Sequence, residues 1–525
     1  MDRLQEIARR RTFAIVSHPD AGKTTLTEKL LLFGGAIQVA GAVKSNKIKR
    51  AATSDFMEIE KQRGISVATS VMAFEYGGLK INILDTPGHQ DFVEDTFRTL
   101  TVVDSVIVVV DSAKGVEAQT EKLMEVCRRR HTPVIVFINK LDRDGLDPFD
   151  VLDELESKLS ITVSPMTWPA GMGHAFRGVW NRHTNRFCIF SPHGKQEEGD
   201  VVVVDDVRSP VLGQRLGHAA EKLVEDLDMV SGVYPGFDRE RWLKGEIAPV
   251  FFGSAINNFG VKELLDCFVD IAPPPGPVAA EEREVHPQEQ KFTGFVFKIH
   301  ANMDPRHRDR LAFFRIVSGS FQRNEAYYHV RLDRQLRFSS PHAFLADKKE
   351  IVDEAFPGDI VGLPDSGNFK LGDTLTAGEV LHYRGVPSFA PEHFRYVDNA
   401  DPMRAKQLSK GLAELLDEGV AQLFTSLTSG RKIIGTVGVL QLEVLQYRLE
   451  HEYNAKCRYQ PIEMHKACWV SSEDPAVLAE FRAKREASCA LDRHGRLVFL
   501  AHSAWAIKLA QDDFPRVQFH YSSEF

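Results

Sequence analysis

The residues best suited to chemistry in this chain fall in three short strings: SHPDAGKT at 17–24, DTPGH at 85–89 and NKLD at 139–142. The first closely follows an apolar run at 13–16 and opens a helical pattern carried by Leu26, Leu30 and Leu31. That is the strand, loop, helix order a triphosphate site requires. Main-chain N–H groups of the loop made by Ser17, His18, Pro19, Asp20, Ala21 and Gly22 can curl around phosphate oxygens at the helix N-terminus. Lys23 can reach the β and γ phosphates, and the Thr24 hydroxyl can bind Mg²⁺. Ser17 stands where glycine is usual, so this turn is made with a Cβ present.

In the second string Asp85 suits a contact to Mg²⁺ through a water. Thr86 and Pro87 lead to Gly88, whose N–H can bind the γ phosphate, so the conformation of this segment depends on that phosphate. His89 follows where other GTPases carry a Gln that orients the attacking water; a lone histidine is more often structural, but this position argues for a catalytic one. In the third string the Asp142 carboxylate can accept hydrogen bonds from guanine N1–H and the exocyclic amine, whereas adenine offers an acceptor at N1. Polar pairing of this kind discriminates by about 10⁴-fold or more. Asn139, the Lys140 stem and Leu141 would shape the base pocket, and the Ser254–Ala255 backbone can reach guanine O6. Between the first two strings QRGIS at 62–66 reads as a loop ordered by Mg²⁺, with Ser66 offering a hydroxyl ligand; a simple loop-to-strand transition is the alternative. No arginine finger can be assigned, and such a group is worth about 10³ to 10⁵ in rate, or about 4 to 7 kcal/mol. Slow hydrolysis of GTP to GDP without a partner is therefore expected.

These strings need elements that hold them at one edge. Apolar runs at 13–16, 81–84, 106–110, 134–138 and 249–252 alternate with helical stretches, which predicts an α/β domain with a mostly parallel sheet over 1–275. Each string ends a strand, where ligands bind in doubly wound sheets. The interval between NKLD and GSA is far longer than one helix and its loops, so an inserted subdomain is expected at about 160–245, with a charged, then β-like middle. The run APPPGPVAAEEREVHP reads as a stiff linker, with the boundary at 276–289. Short β-rich runs at 292–299, 311–317 and 360–363 predict a β-barrel over 290–387. From 388 to 525 an α+β domain is expected. Asp401–Pro402 makes a helix start, and Leu408, Leu412, Leu415 and Leu416 line one face. Strand-like runs at 422–427 and 432–437 and a second helix with Leu442, Leu445 and Leu449 then suggest a split βαβ unit, which residues from about 470 on could extend.

The 525 residues exceed what one core supports, so about three domains are expected. Six scattered cysteines without metal-ligand spacing suit a reducing compartment. There is no apolar stretch of signal-peptide length and no run approaching about 18 apolar residues, so a cytoplasmic protein with no membrane partner is expected. The net charge of −8 gives no hint of nucleic acid, yet basic clusters at 44–50 (KSNKIKR) and 306–310 (RHRDR) stand out, each equally readable as a solvated charged face.

SHPDAGKTT, RGIS, DTPGH and NKLD together resemble the translational GTPases of the elongation factor G type. The strings FTGFVFKIHANMDPRHRDRLAFFRI, MEIEKQRGIS and GVLQLEVLQYRLE are similar to those of the bacterial peptide chain release factor 3 family, and the resemblance covers essentially the whole chain. It implies a monomeric, ribosome-dependent GTPase that expels class I release factors after peptide release. It implies too that His89 is placed by a large-subunit rRNA loop, with Ile65 and Pro19 as a flanking apolar gate and Asp20 near a monovalent ion. Pro19 departs from the Ile or Val common in elongation factors. The chain is expected to lack the decoding-site domain of elongation factor G and to exceed elongation factor Tu. Other translational GTPases, a GTPase partner of a small-molecule activating enzyme, and a non-hydrolysing GTP sensor are the alternatives. The second would need catalytic residues outside the switch, and His89 with its Mg²⁺ ligands argues against the third.

Overall fold

The structure, a computed structural model, describes residues 2–37, 59–60, 66–189, 202–301, 310–345, 348–383 and 389–521. The basic cluster at 44–50, residues 62–65 of QRGIS with Ile65, and 306–309 of the second basic cluster lie outside the described residues.

The nucleotide domain is built on seven strands: β1 (Arg10–Ser17), β2 (Ser70–Tyr76), β3 (Leu79–Asp85), β4 (Ser105–Asp111), β5 (Val134–Asn139), β6 (Thr162–Pro165) and β7 (Ile247–Phe252). Their order is β2-β3-β1-β4-β5-β7-β6, and every pairing is parallel except β2 with β3. β4 and β5 are buried throughout and rich in Val and Ile, as strands covered on both faces must be. Along β4, Val106, Val108 and Val110 join the core on one face while Ile107 and Val109 join the core on the other. That is the period-two alternation of an extended chain. Parallel register brings the strand ends level: Ile15 pairs with Asp85, Asp111 with Asn139, and Ile138 with Phe252. The loops that follow β1, β3, β5 and β7 therefore leave the sheet on one edge.

Of the interval expected as an insert, Thr162–Pro165 is the edge strand β6 of the main sheet. The added residues are a four-stranded antiparallel sheet (Thr167–Ala170, Gly178–Asn181, Arg186–Ile189, Val202–Val204) and the helices Pro210–Leu216, His218–Val233 and Arg239–Leu243. Trp168, fully buried, fastens them: its ring lies 4.6 Å from Phe149 and 5.4 Å from Phe252. The Thr167 hydroxyl accepts the Phe252 N–H at 2.8 Å.

The proline-rich stretch folds into a small hairpin, Val278–Ala279 against Glu284–Val285. Arg283 pins it through paired hydrogen bonds to Glu289 and to Glu379. The antiparallel β-domain that follows wraps its strands around one core that includes Val296, Phe314, Phe321 and Leu375. It meets the nucleotide domain at a buried seam. Asp359 takes Arg10 at 2.8 Å and Lys80 at 3.0 Å, and the Gly358 carbonyl accepts from Thr12, Asn82 and Arg315.

The C-terminal residues repeat a unit where extension of one had been expected. His393–Asn399, helix Ala405–Asp417, Gln422–Ser426, Lys432–Thr436, helix Val439–Tyr453 and Cys457–Pro461 form a first split βαβ fold with strand order 4-1-3-2. Lys466–Ser471, helix Pro475–Lys484, Cys489–Leu491, Leu497–Ala501, helix Ala504–Asp513 and Gln518–His520 form a second with the same order. Gln422–Ser426 pairs with Cys489–Leu491, so the two make one eight-stranded sheet. The second unit is hard to see in sequence because its second strand has three residues and helix Pro475–Lys484 buries only Phe481.

The first C-terminal unit is tied to the β-domain through Arg448 and Glu418, both almost fully buried. The guanidinium grips the carboxylate with two hydrogen bonds and also donates to the Ala301 carbonyl, while the Ala301 N–H donates to Glu418 at 2.6 Å. Glu418→Ala removes one of the two carboxylates on Arg448, leaving Glu452 alone on the buried guanidinium, and should cost about 1 to 3 kcal/mol. The shift of the first urea-unfolding transition measures this.

Candidate nucleotide-binding and catalytic site

Residues 18–22 bridge β1 and helix Lys23–Phe33 in a loop that includes two left-handed residues, Asp20 (φ 66°) and Gly22 (φ 95°). Gly22 is required twice over, since a Cβ there would also sit 2.3 Å from Asn139 Nδ2. That close approach lets Asn139 act as a staple. Its amide nitrogen donates to the Ala21 carbonyl at 2.8 Å, and its oxygen accepts the Ala255 N–H at 2.8 Å. Lys140, itself at φ 72°, lays its ammonium on Asp111 at 2.7 Å and on the Asp20 carbonyl. Against the effect of its burial, the Lys140 ammonium and the Ala113 N–H hold the Asp111 carboxyl below the usual carboxylate range. Asp111 belongs to none of the three strings; its signal is the end of the apolar run at 106–110.

Leu141 is fully buried and donates its N–H to the Gly253 carbonyl, which ties NKLD to GSA. The Ser254 hydroxyl donates to Asp142 Oδ1 at 2.5 Å, so the carboxylate is oriented. The 254–255 backbone expected to reach guanine O6 makes internal hydrogen bonds in this geometry. The Ser254 N–H is bonded to the Phe259 carbonyl and the Ala255 N–H to Asn139, because the loop turns back on itself. What this loop offers directly is the Ser254 side chain on Asp142.

Lys23, at the first turn of the helix, forms a buried ion pair with Asp85 Oδ1. Asp85 Oδ2 is buried with no hydrogen-bond partner among the described residues. Thr24 is half-buried one residue along, and Ser66 is half-buried before β2. An orphaned carboxylate oxygen with two hydroxyls is an all-oxygen donor set, which fits Mg²⁺. The sequence offered no signal for Glu60, fully buried, whose carboxylate accepts the N–H groups of Val67 and Ala68 at 2.9 and 3.2 Å beside Ser66.

The DTPGH segment lies against the phosphate loop. Thr86 donates to the Ile15 carbonyl and Thr96 to the Pro87 carbonyl, and a Cβ added at Gly88 would meet the His18–Pro19 backbone at ordinary contact distance. Pro19 and Asp20 are exposed. His18 is buried, its Nδ1 2.7 Å from Glu117; burial holds the imidazole below its ordinary range, against the pull of that carboxylate. His89 is partly exposed, and its Nδ1 accepts the Asp91 N–H at 3.2 Å.

Comparison with known proteins assigns three parts of the chain. Residues 8–274 match the family described as the elongation factor Tu GTP binding domain, and residues 291–378 match elongation factor G domain 2. Residues 383–511 match the class II release factor RF3 C-terminal domain. The chain belongs to the translational GTPases of the release factor 3 type. It is a hydrolase of translation termination that binds GTP and GDP and acts on the ribosome. A solved protein from Thermus thermophilus has the same fold, with a TM-score of 0.70 at 22% identity over 89% of this chain and 71% of that one. No helix among the described residues is long and apolar enough to cross a membrane.

Asp142→Asn should weaken GTP binding and shift preference toward xanthine nucleotides, whose exocyclic oxygen suits an amide donor. Titration with GTP, XTP and ATP measures this; equal affinity of the unmodified protein for ATP would remove Asp142 from the base edge.

Proposed function

We propose that this termination GTPase uses bound GTP to adopt a conformation that displaces class I release factors from ribosomes after peptide release, and that hydrolysis lets it leave. It works as a monomer. One observation carries the reading. The segment that lies over the phosphate loop continues into helix Val93–Leu100, which both other domains hold. Lys298 of the β-domain reaches Asp95 at 3.2 Å, and Arg98 donates to the Glu418 and Gly419 carbonyls of the C-terminal domain. Arrival or departure of the γ phosphate is thereby felt in both. Only a difference in affinity between two ribosome states can eject a competitor, and such coupling supplies one.

In the nucleotide complex the phosphate-loop amides and Lys23 hold the phosphates, with Lys23 exchanging Asp85 for phosphate oxygen. Thr24, Ser66 and, through water, Asp85 would hold Mg²⁺. The ion supplies positive charge at the phosphate oxygens. Asp142 reads the guanine edge, with Asn139 and Lys140 fixing the loops around it. His89 orients the attacking water once the ribosome has placed its ring.

His89→Ala should leave GTP affinity within a few-fold and lower ribosome-stimulated single-turnover hydrolysis by at least about 10²-fold. An unchanged rate makes His89 structural. A fluorophore on a class I release factor, followed on post-release ribosomes, should report faster departure when this protein and GTP are added. An unchanged departure rate at saturating GTP, or movement of tRNA instead, overturns the release-factor reading.

A further inference from the structure

The turn that carries His89 is held from outside its own domain. His89 caps the short turn Gln90–Phe92, accepting the Asp91 N–H on Nδ1. In the neutral ring the proton then lies on Nε2, the end turned away from the turn. The Asp91 carboxylate lies between His89 and the C-terminal domain. Its Oδ2 accepts the Leu440 N–H at 2.6 Å, across 349 residues of sequence, while its Oδ1 stays 3.3 Å from His89 Nδ1.

Leu440 lies in the first turn of helix Val439–Tyr453 of the C-terminal domain. The residue before that helix is Gly438, which has no side chain to cap it. Gln441 Oε1 accepts the Val437 and Gly438 N–H groups, and the Leu440 N–H goes to Asp91. Asp91 is thus a helix cap supplied from another domain. The fit is tight. A Cβ on Gly438 would lie 2.3 Å from Asp91 Cβ and 2.5 Å from its Cα, so glycine is needed here for close approach. Phe92 adds an apolar anchor, packing with Ile59, Val67 and Val444.

We propose that Asp91 is a positioning residue for GTP hydrolysis, joining His89 to the N-terminus of helix Val439–Tyr453 so that the seating of the C-terminal domain sets the orientation of the imidazole. The inference rests on His89 acting in ribosome-stimulated hydrolysis. It adds that the histidine is governed through the C-terminal domain as well as by the nucleotide. Asp91 itself touches neither water nor phosphate in this scheme; it acts through the ring.

Single-turnover hydrolysis on ribosomes tests this with the full chain. Asp91→Ala should lower kcat by about tenfold while the ribosome KM and GDP affinity stay within about threefold. Asp91→Asn keeps an oxygen that can accept the Leu440 N–H and should remain within about threefold of the unmodified protein. In a His89→Ala background, Asp91→Ala should change nothing further, since a residue acting through the ring has nothing left to act on. A further loss in that background, or equal loss in Asp91→Asn, overturns the proposal. Hydrogen exchange without ribosomes reads the tie itself. The Leu440 amide should be protected in the unmodified protein and exchange at least about tenfold faster in Asp91→Ala; equal rates overturn the tie. Absence of ribosome stimulation in the unmodified protein would instead count against the ribosomal reading, with the exchange result still deciding the tie.

Discussion

Helix Val93–Leu100 places three charged side chains, Glu94, Asp95 and Arg98, against other domains, and each has a partner there. Glu94 accepts the Phe389 N–H at 2.7 Å, Asp95 takes Lys298, and Arg98 donates to two carbonyls at 418 and 419. Moving charge out of water costs several kcal/mol per group unless hydrogen bonds replace the solvent. Burial pushes the Glu94 carboxyl up, against the pull of Arg98. Asp95 is held down, against its burial, by Lys298 and Thr69. Asp95 also accepts the Thr69 N–H and Arg98 also pairs with Glu94 on the same helix, but the full set of partners is present only when all three domains are seated on it.

The same logic accounts for where rigidity lies in the nucleotide site. The base end is fastened in several directions: Asn139 and Lys140 both reach the phosphate loop, Asn139 also reaches Ala255 and Lys140 Asp111, and Ser254 holds Asp142. Near the phosphates, by contrast, a buried carboxylate oxygen of Asp85 has no partner among the described residues, and Lys23 is engaged with the other oxygen. The site is preorganised for the base and held by internal ion pairing where phosphate would enter. In the proposed scheme a bound nucleotide would exchange that pair for its own charges, beside the segment that leads to His89.

The C-terminal domain shows how repetition can leave little trace in sequence. Both split βαβ units have the same strand order, yet the first packs its helices under Leu408, Leu412, Leu445 and Leu449 while the second relies on Phe481, Phe499 and Phe514. Leucine periodicity exposes the first. The second spreads a few large aromatic rings over short elements, so no window carries a strong period.

What the amino-acid sequence determined by itself was local. The order of strand, phosphate loop and helix, the strand-ending positions of DTPGH and NKLD, and the alternation that builds a parallel sheet all follow from periodicity and turn chemistry within windows of about 10 to 20 residues. Those features sufficed for the fold class; the family came from the resemblance of the motif strings to those of known translational GTPases. Tertiary structure decided the rest. The Ala255 N–H is committed to Asn139 because two loops, 116 residues apart in sequence, meet at one sheet edge. Asp91 and Lys298 gain their roles from partners far away in sequence, and both bridge domains. A buried polar group must find a partner, but its residue type says only that one is needed. Which one it finds is set by the packing of three domains around a single helix.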